Sequence, residues 1–168
     1  VEVDTPDGLR SGSSVIEVRR NMGRSAGAAF GEIVMTRVRG EAVVVELPNG
    51  QNLFALLRSK DSVDWANYVM PRLAPKIEGE KGRERLDNVL LIEGKVELPE
   101  QWPSRFRVDR LSGYPMLVTF ANLDDPTTVA RVDPKALDAS FGEGVSLRRI
   151  TVEITDDPVS AQIDEILP

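Results

Sequence analysis

The sequence predicts an α+β fold that is mainly β, with a core of antiparallel sheet. Three observations support this. Short segments alternate apolar and polar residues, and a Pro-Asn-Gly sequence separates two apolar runs. The sequence also lacks the regular alternation of strand and helix that builds a parallel sheet. The segments amount to about eight or nine strands and two or three short helices. With 168 residues, the chain is interpreted as a single domain over residues 1–168.

The first part of the chain carries the strongest strand signals. The turns at Pro6–Gly8 and 48–50 predict two hairpins, because proline presets φ and glycine accepts a positive φ. Residues 21–31, rich in small side chains, predict a flexible loop. Continuously apolar runs before and after the second turn predict central strands covered on both faces. The predicted strands lie at residues 1–4, 13–19, 33–38, 41–47 and 52–58.

The second part mixes helix and strand signals. A helix is predicted from an N-cap at Ser62, with apolar residues at helical spacing, and Pro71 and Pro75 are expected to end it. Residues 76–88 are charged and punctuated by glycine, which predicts a second flexible loop. The remaining predictions are a strand pair at 89–99 broken at Gly94, a strand at 116–121, an extended piece at 128–132, a helix from Asp133 to Gly142, a long strand at 145–155 and a helix after Asp157.

Charge is unevenly distributed along the chain. Residues 1–60 carry seven acidic and eight basic residues, and the rest carry twenty acidic and thirteen basic residues. The net charge of −6 opposes general binding to nucleic acid or to anionic membranes. A basic bias follows Arg19, Arg20, Arg24, Arg37 and Arg39. Because Glu17, Glu32 and Glu41 interleave with these arginines, the segment predicts a solvated face of mixed charge.

The chain contains no cysteine and no histidine. This excludes catalytic triads of the Ser-His-Asp or Cys-His type, zinc sites of the usual ligand set and haem ligation. No cofactor is predicted. The composition is that of an ordinary soluble domain, without an apolar run long enough to span a bilayer. Because the sequence begins at Val1 and not at Met, it leaves room for an upstream signal peptide or anchor.

Asp156 and Asp157 are the pair of acids for which a metal or acid–base role is weighed. They follow an alternating segment that includes Glu153 and they precede Pro158. One hypothesis gives them a metal or acid–base role. The other is structural, because an aspartate before a proline caps a helix N-terminus. Adjacent carboxylates alone do not specify a site, so no catalytic, cofactor or metal residue is assigned.

Two further features favour plain structural roles. The glycine-rich stretch at residues 23–32 lacks the Gly-Lys-Ser/Thr ending of a phosphate-binding loop, which favours a simple loop. The aromatic residues are few, so burial in the core is expected for most of them, although they could line a surface for a sugar or a peptide. These residues are Trp65, Tyr68, Trp102 and Tyr114.

Two stretches carry a resemblance: "TPDGLRSGSSVIEVR" near the start, and "DDPTTVARVDPKALDASFGEGVSLRRITVEITDDPVSAQIDEILP" at the end. They resemble an uncharacterised family of small proteobacterial proteins of the envelope type, whose members begin with a hydrophobic segment. The resemblance implies a bacterial source and an extracytoplasmic or cell-envelope location. It implies no catalytic residues.

The lack of any specific catalytic signature favours a non-enzymatic envelope or interaction domain that binds a protein or a small ligand. The alternative is a hydrolase that uses carboxylates, or an enzyme whose metal is held by oxygen ligands. The two hypotheses differ in geometry, because only the second needs two or more acids to converge in a pocket.

Overall fold

The computed structural model describes residues 1–24, 32–48, 50–80, 87–102 and 111–161. These residues form eleven strands in four antiparallel sheets, with two short α-helices. The strands are β1 (Glu2–Thr5), β2 (Gly8–Ser11), β3 (Glu17–Arg24), β4 (Glu32–Arg39), β5 (Val43–Glu46), β6 (Asn52–Ala55), β7 (Val96–Glu97), β8 (Leu117–Phe120), β9 (Val129–Arg131), β10 (Ser146–Arg149) and β11 (Thr151–Val152), and the helices are α1 (Trp65–Leu73) and α2 (Asp138–Phe141).

The four sheets have the strand orders β10-β1-β2, β5-β6-β8-β9, β3-β4 and β11-β7. Every strand pair is antiparallel, which confirms the predicted class of a mainly β fold with antiparallel sheet. The strands outnumber the predicted eight or nine partly because residues 145–155 form two strands. Arg149 pairs with Glu2 on β1, whereas Thr151 pairs with Glu97 on β7. Alternation continues across buried Ile150, so the change of sheet is invisible in the pattern.

The first hairpin differs from the prediction in its second strand. β1 pairs with β2 through a two-residue turn, and not with residues 13–19. The hydroxyl of Thr5 donates to the carbonyl of Gly8 at 2.7 Å, and Gly8 has the positive φ of 111° that this turn needs. The segment from Glu17 instead begins β3, which pairs with β4.

The second hairpin confirms its prediction. β5 and β6 pair in antiparallel register, and the Leu47 amide closes the hairpin on the Gln51 carbonyl at 2.9 Å, while Asn49 lies outside the described residues. Leu53 and Phe54 are adjacent on β6 and are 0% and 2% exposed. Since successive side chains point to opposite faces, β6 is covered on both faces, as its apolar run predicts.

The main core is one cluster of buried apolar side chains. It draws on β1, β5, β6, β8, both helices and the segments next to β7 and β10. Full burial of such side chains contributes about 1.5–3 kcal/mol each. The cluster consists of Val3, Val45, Leu47, Leu53, Ala55, Trp65, Ala66, Val69, Leu98, Leu117, Val132, Leu137, Phe141, Val145 and Ile150.

Helix α1 begins at Trp65, so its N-cap is Asp64 and not the predicted Ser62, whose hydroxyl accepts the Asp64 amide. The helix passes through Pro71, which therefore does not end it, and stops at Leu73, just before Pro75, as the second predicted end requires.

A proline inside a helix removes the N–H that would bond the carbonyl four residues earlier, here that of Asn67. The Nη2 group of Arg20 donates to the Asn67 carbonyl at 3.0 Å. A guanidinium from β3 therefore replaces the missing donor.

Two other predicted elements, a strand pair and the start of a helix, need correction. Residues 88–91 form a 3₁₀ turn, so the strand pair expected at 89–99 reduces to β7. Asp133 caps a turn through the Lys135 amide at 2.9 Å, and α2 starts only at Asp138. The helix does end at Gly142, with φ 99°, as predicted.

The C-terminal helix predicted after Asp157 is absent from residues 158–161, which are non-helical. Ser160 bonds the backbone of Val15 instead, accepting from its amide at 2.7 Å and donating its own amide at 3.1 Å. Residues 162–168 lie outside the described part, as do 25–31 and 81–86 of the two predicted loops and 103–110. Residues 21–24 of the first loop belong to β3. No helix in the described ranges is long and apolar enough to cross a membrane.

Candidate functional site

Asp156 and Asp157 lie exposed at the surface after β11. The Thr155 hydroxyl donates to Asp157 Oδ2 at 2.8 Å and accepts from the Asp157 amide at 3.1 Å, which makes a local turn and no helix cap. Among the described residues, no three acidic side chains lie close enough to hold a metal ion. The structure therefore brings no further acid to this pair.

One open cavity of ≈ 490 Å³ lies between α2 and β10. Its lining contains a single acid, Asp138, and a single base, Lys135. The amine of Lys135 forms an ion pair with Glu100 at 3.0 Å. The two converging carboxylates that the hydrolase hypothesis needs are not found in this lining.

Ser59 is the most deeply buried hydroxyl group that the structure describes, with 0% exposure. Its Oγ accepts from the amides of Asp61 and Ser62 at 3.2 and 3.1 Å. The Tyr68 hydroxyl lies 2.7 Å from Ser59 Oγ and donates to the Ser112 carbonyl at 2.9 Å. Ser59 Oγ also lies 3.5 Å from the Ser62 carbonyl, to which it donates. The contacts of this buried hydroxyl hold the turn at residues 59–62 against α1, which is a structural role.

The same contacts fasten α1 to residues 112–114. Asp61 accepts the Ser112 amide at 2.9 Å, and the indole N–H of Trp65 donates to the Gly113 carbonyl at 3.0 Å. The expected burial is confirmed for Trp65, which is 6% exposed. Tyr68, Trp102 and Tyr114 are partly buried against the core. These aromatic residues hold the fold together.

Burial is the largest cause that raises the pKa of Tyr68 and of Tyr114 above 10.0. The folded state then binds these protons more tightly than the unfolded state. The contribution of the two tyrosines to the free energy of unfolding is therefore fully present below pH 10.0 and is lost as pH rises through the raised pKa values. The chain has only these two tyrosines. We expect tyrosinate absorbance to develop above pH 10.0 in the folded protein, with one of the two titrations missing in Tyr68→Phe. Ionisation at the ordinary value before unfolding would contradict this prediction.

Three exposed arginines lie together on the ribbon formed by β3 and β4. Arg19 lies directly opposite Arg37, and Glu17 lies opposite Arg39. Because these positions alternate with the inward ones, their side chains share the outer face of the ribbon. Arg19, Arg37 and Arg39 are exposed. We call these three arginines the arginine face.

The arginine face is incompletely neutralised. Arg19 Nε pairs with Glu17 Oε1 at 2.8 Å, but the Arg19 side chain is 69% exposed, and such pairs contribute little. Within the described residues, no ion pair involves Arg37 or Arg39. Like charges directly opposite each other in a sheet are destabilising. The Arg19–Arg37 pair therefore lowers the stability of the protein when no partner is bound.

The inner face of the ribbon is anchored on α1. Arg20 donates to the Asn67 carbonyl at 3.0 Å, and the Thr36 hydroxyl donates to Asn67 Oδ1 at 2.8 Å. Burial lowers the pKa of Arg20, and Val18 packs against the main core. These contacts fix the base of the ribbon and hold the arginine face outward.

The sequence prediction of one mixed-charge face is therefore only partly right. Because side chains alternate between the two faces of β3, Arg20 lies on the inner face, where it donates to α1. Arg19 lies on the outer face with Arg37 and Arg39. The side chains of Arg24 and Glu32 lie outside the described part. The cross-strand register, which places Arg37 against Arg19, is the feature that sequence reasoning missed. The sequence signal for this arrangement is the alternation of side chains between the two faces of each strand, which places Arg37 and Arg39 on one face of β4.

Comparison with family models, with curated proteins and with solved structures gives no match. The resemblance of the two ends to small proteobacterial envelope proteins accordingly stays a prediction.

Proposed function

We propose that this chain is a non-enzymatic interaction domain that binds an acidic protein surface through the arginine face. The observation that carries the proposal is the direct opposition of Arg19 and Arg37, beside Arg39, on an exposed and anchored ribbon. Carboxylates of a partner can bond guanidinium groups in bidentate fashion. Binding would also relieve the repulsion that the free protein carries.

A protein partner fits the charge distribution better than a nucleic acid does. Residues 61–168 carry twenty acidic and thirteen basic residues, and this excess repels a phosphate backbone that extends beyond the ribbon. An acidic patch on a protein is compact and needs only local complementarity. Specific protein pairs use such complementary charges to steer encounter and fix orientation.

The proposed setting is the bacterial cell envelope, outside the cytoplasm. The resemblance of the two ends of the chain to proteobacterial envelope proteins supports this setting. Fractionation of cells that express the natural gene, followed by immunodetection, tests it. Recovery of the protein with the cytosol would overturn the location and leave the binding proposal intact.

The test of the binding proposal is charge reversal on the arginine face. Wild-type protein is expected to bind immobilised poly-L-glutamate, with an affinity that falls as salt rises. The double variant Arg37→Glu, Arg39→Glu is expected to lose at least about tenfold in affinity. Circular dichroism should show that the variant keeps its β structure, since both side chains are exposed.

The matched control is the double variant Arg10→Glu, Arg131→Glu. These arginines are exposed on β2 and β9, away from the ribbon. Both double variants change the net charge equally, so the control should keep its affinity within about twofold. Equal losses in the two variants would show that net charge alone governs binding, which would overturn the proposal. So would a wild-type protein that fails to bind at low salt.

A further inference from the structure

The geometry points to a specific binding mode: the partner segment adds to the ribbon as an extended strand along β4, with acidic side chains at alternate positions. This inference rests on the proposed function and specifies both the partner and the contact. It predicts that main-chain hydrogen bonds contribute to affinity and that the spacing of the carboxylates sets specificity.

The outer edge of β4 is the first observation behind this mode. β4 pairs with β3 on one side, and no other described strand pairs with it. Outside the ribbon, its backbone forms no hydrogen bond with the described residues. In an antiparallel pair, every second residue turns its N–H and C=O groups away from the partner. β4 is eight residues long, so about half of its backbone groups form a template for a further strand.

The spacing of the arginines supplies the second observation. Arg37 and Arg39 are two residues apart on the same face of β4, which corresponds to about 6.6–6.8 Å along a strand. A strand added at the usual separation of about 4.8 Å places its own alternate side chains on that face. Glutamates two residues apart then lie beside Arg37 and Arg39, with Arg19 one strand further away.

The start of β3 provides a contrast with the edge of β4. Just before β3, both backbone groups of Val15 are bonded by Ser160. A segment of this chain therefore already satisfies the backbone there. Asn67 of α1 holds the inner side of the ribbon through Arg20 and Thr36. Among the described residues, no such contact reaches the backbone of β4, so its edge and the arginine face are open to a partner.

The experiment measures binding of synthetic peptides to the full chain by fluorescence anisotropy. The probe is an end-blocked peptide as long as β4, eight residues, that alternates glutamate with threonine. A second peptide has the same composition with its glutamates contiguous. Two further versions of the probe carry N-methyl groups on all glutamates or on all threonines. N-methylation removes backbone donors and leaves the charge unchanged.

Strand addition predicts that the alternating peptide binds more tightly than the contiguous one. It also predicts that only one of the two methylated probes loses affinity, by at least about tenfold, because only one set of amides faces β4. The double variant Arg37→Glu, Arg39→Glu should lose binding to the alternating peptide as well.

The outcomes separate this inference from the proposed function. If both methylated probes and the contiguous peptide bind as well as the alternating peptide, the contact is electrostatic only; strand addition is overturned and the proposed function stands. If neither the peptides nor poly-L-glutamate bind the wild-type chain, both are overturned. In that case the arginines serve to protect the edge of β4 against unwanted pairing.

Discussion

Gly113→Ala is expected to lower the free energy of unfolding by about 3 kcal/mol or more, because the added methyl group would clash with the backbone of Pro99. A Cβ at this position would lie 1.8 Å from the carbonyl oxygen of Pro99. Gly113 cannot shift to relieve the clash. Its amide donates to the Glu100 carbonyl at 2.9 Å, and its own carbonyl accepts the Trp65 indole N–H at 3.0 Å.

Urea denaturation followed by tryptophan fluorescence measures this effect. The matched control is Gly79→Ala, where no atom of the described residues lies within 4 Å of the added Cβ but φ is 88°. The control should cost only about 1–2 kcal/mol, for a non-glycine residue in the left-handed region. Gly113 itself has no positive φ, so a loss there no larger than that of Gly79→Ala would show that the contact with the Pro99 carbonyl does not make Gly113 necessary.

Local sequence patterns predicted the positions of most strands because turn formation and the burial of strand faces depend on residues that are close together in the chain. The Pro-Asn-Gly turn sets a hairpin whatever surrounds it, and its register from Val43 to Ala55 follows from the turn. The apolar run of β6 reports that both of its faces are covered. The class of mainly β, antiparallel sheet follows from such signals, which involve residues close together in the chain.

Pairing between distant segments could not be predicted in this way. The alternation of residues 145–155 is the same whether they follow one sheet or pass from β1 to β7, so the break at Ile150 is set by tertiary packing. Pro71 shows the same limit. Its position predicts the end of a helix, but a donor from Arg20 in a distant strand lets α1 continue.

The sequence shows that arginines are concentrated in residues 19–39, but it does not show how their side chains are arranged in space. Alternation alone separates Arg19 from Arg20 on β3. Which of the two side chains faces solvent depends on α1, whose Asn67 takes the inner one. The opposition of Arg19 to Arg37 depends on a register that joins residues eighteen positions apart. For Asp156 and Asp157, the sequence gives the pair, and only the structure shows that both stay exposed.

Phe54→Ala is expected to lower the free energy of unfolding by about 3–5 kcal/mol, the usual cost of emptying a buried aromatic site. Phe54 is 2% exposed and lies opposite Val118, which is equally buried. Its ring meets that of Phe120 edge to face, at 5.3 Å between centroids and an interplanar angle of 86°. Phe54 thus belongs to a second apolar layer, on the face of β6 opposite Leu53.

The control Phe120→Ala removes the same ring contact from its partly exposed partner. It should cost clearly less, since edge-to-face pairs contribute only about 0.5–1.5 kcal/mol beyond burial. Equal losses in denaturant titrations would mean that the ring contact, and not burial, makes Phe54 important. Combining Phe54→Ala with Leu53→Ala sharpens the test, because residues on opposite faces share few partners. Additive losses would show that β6 stabilises two separate layers, whereas strong coupling would show that both side chains belong to one core.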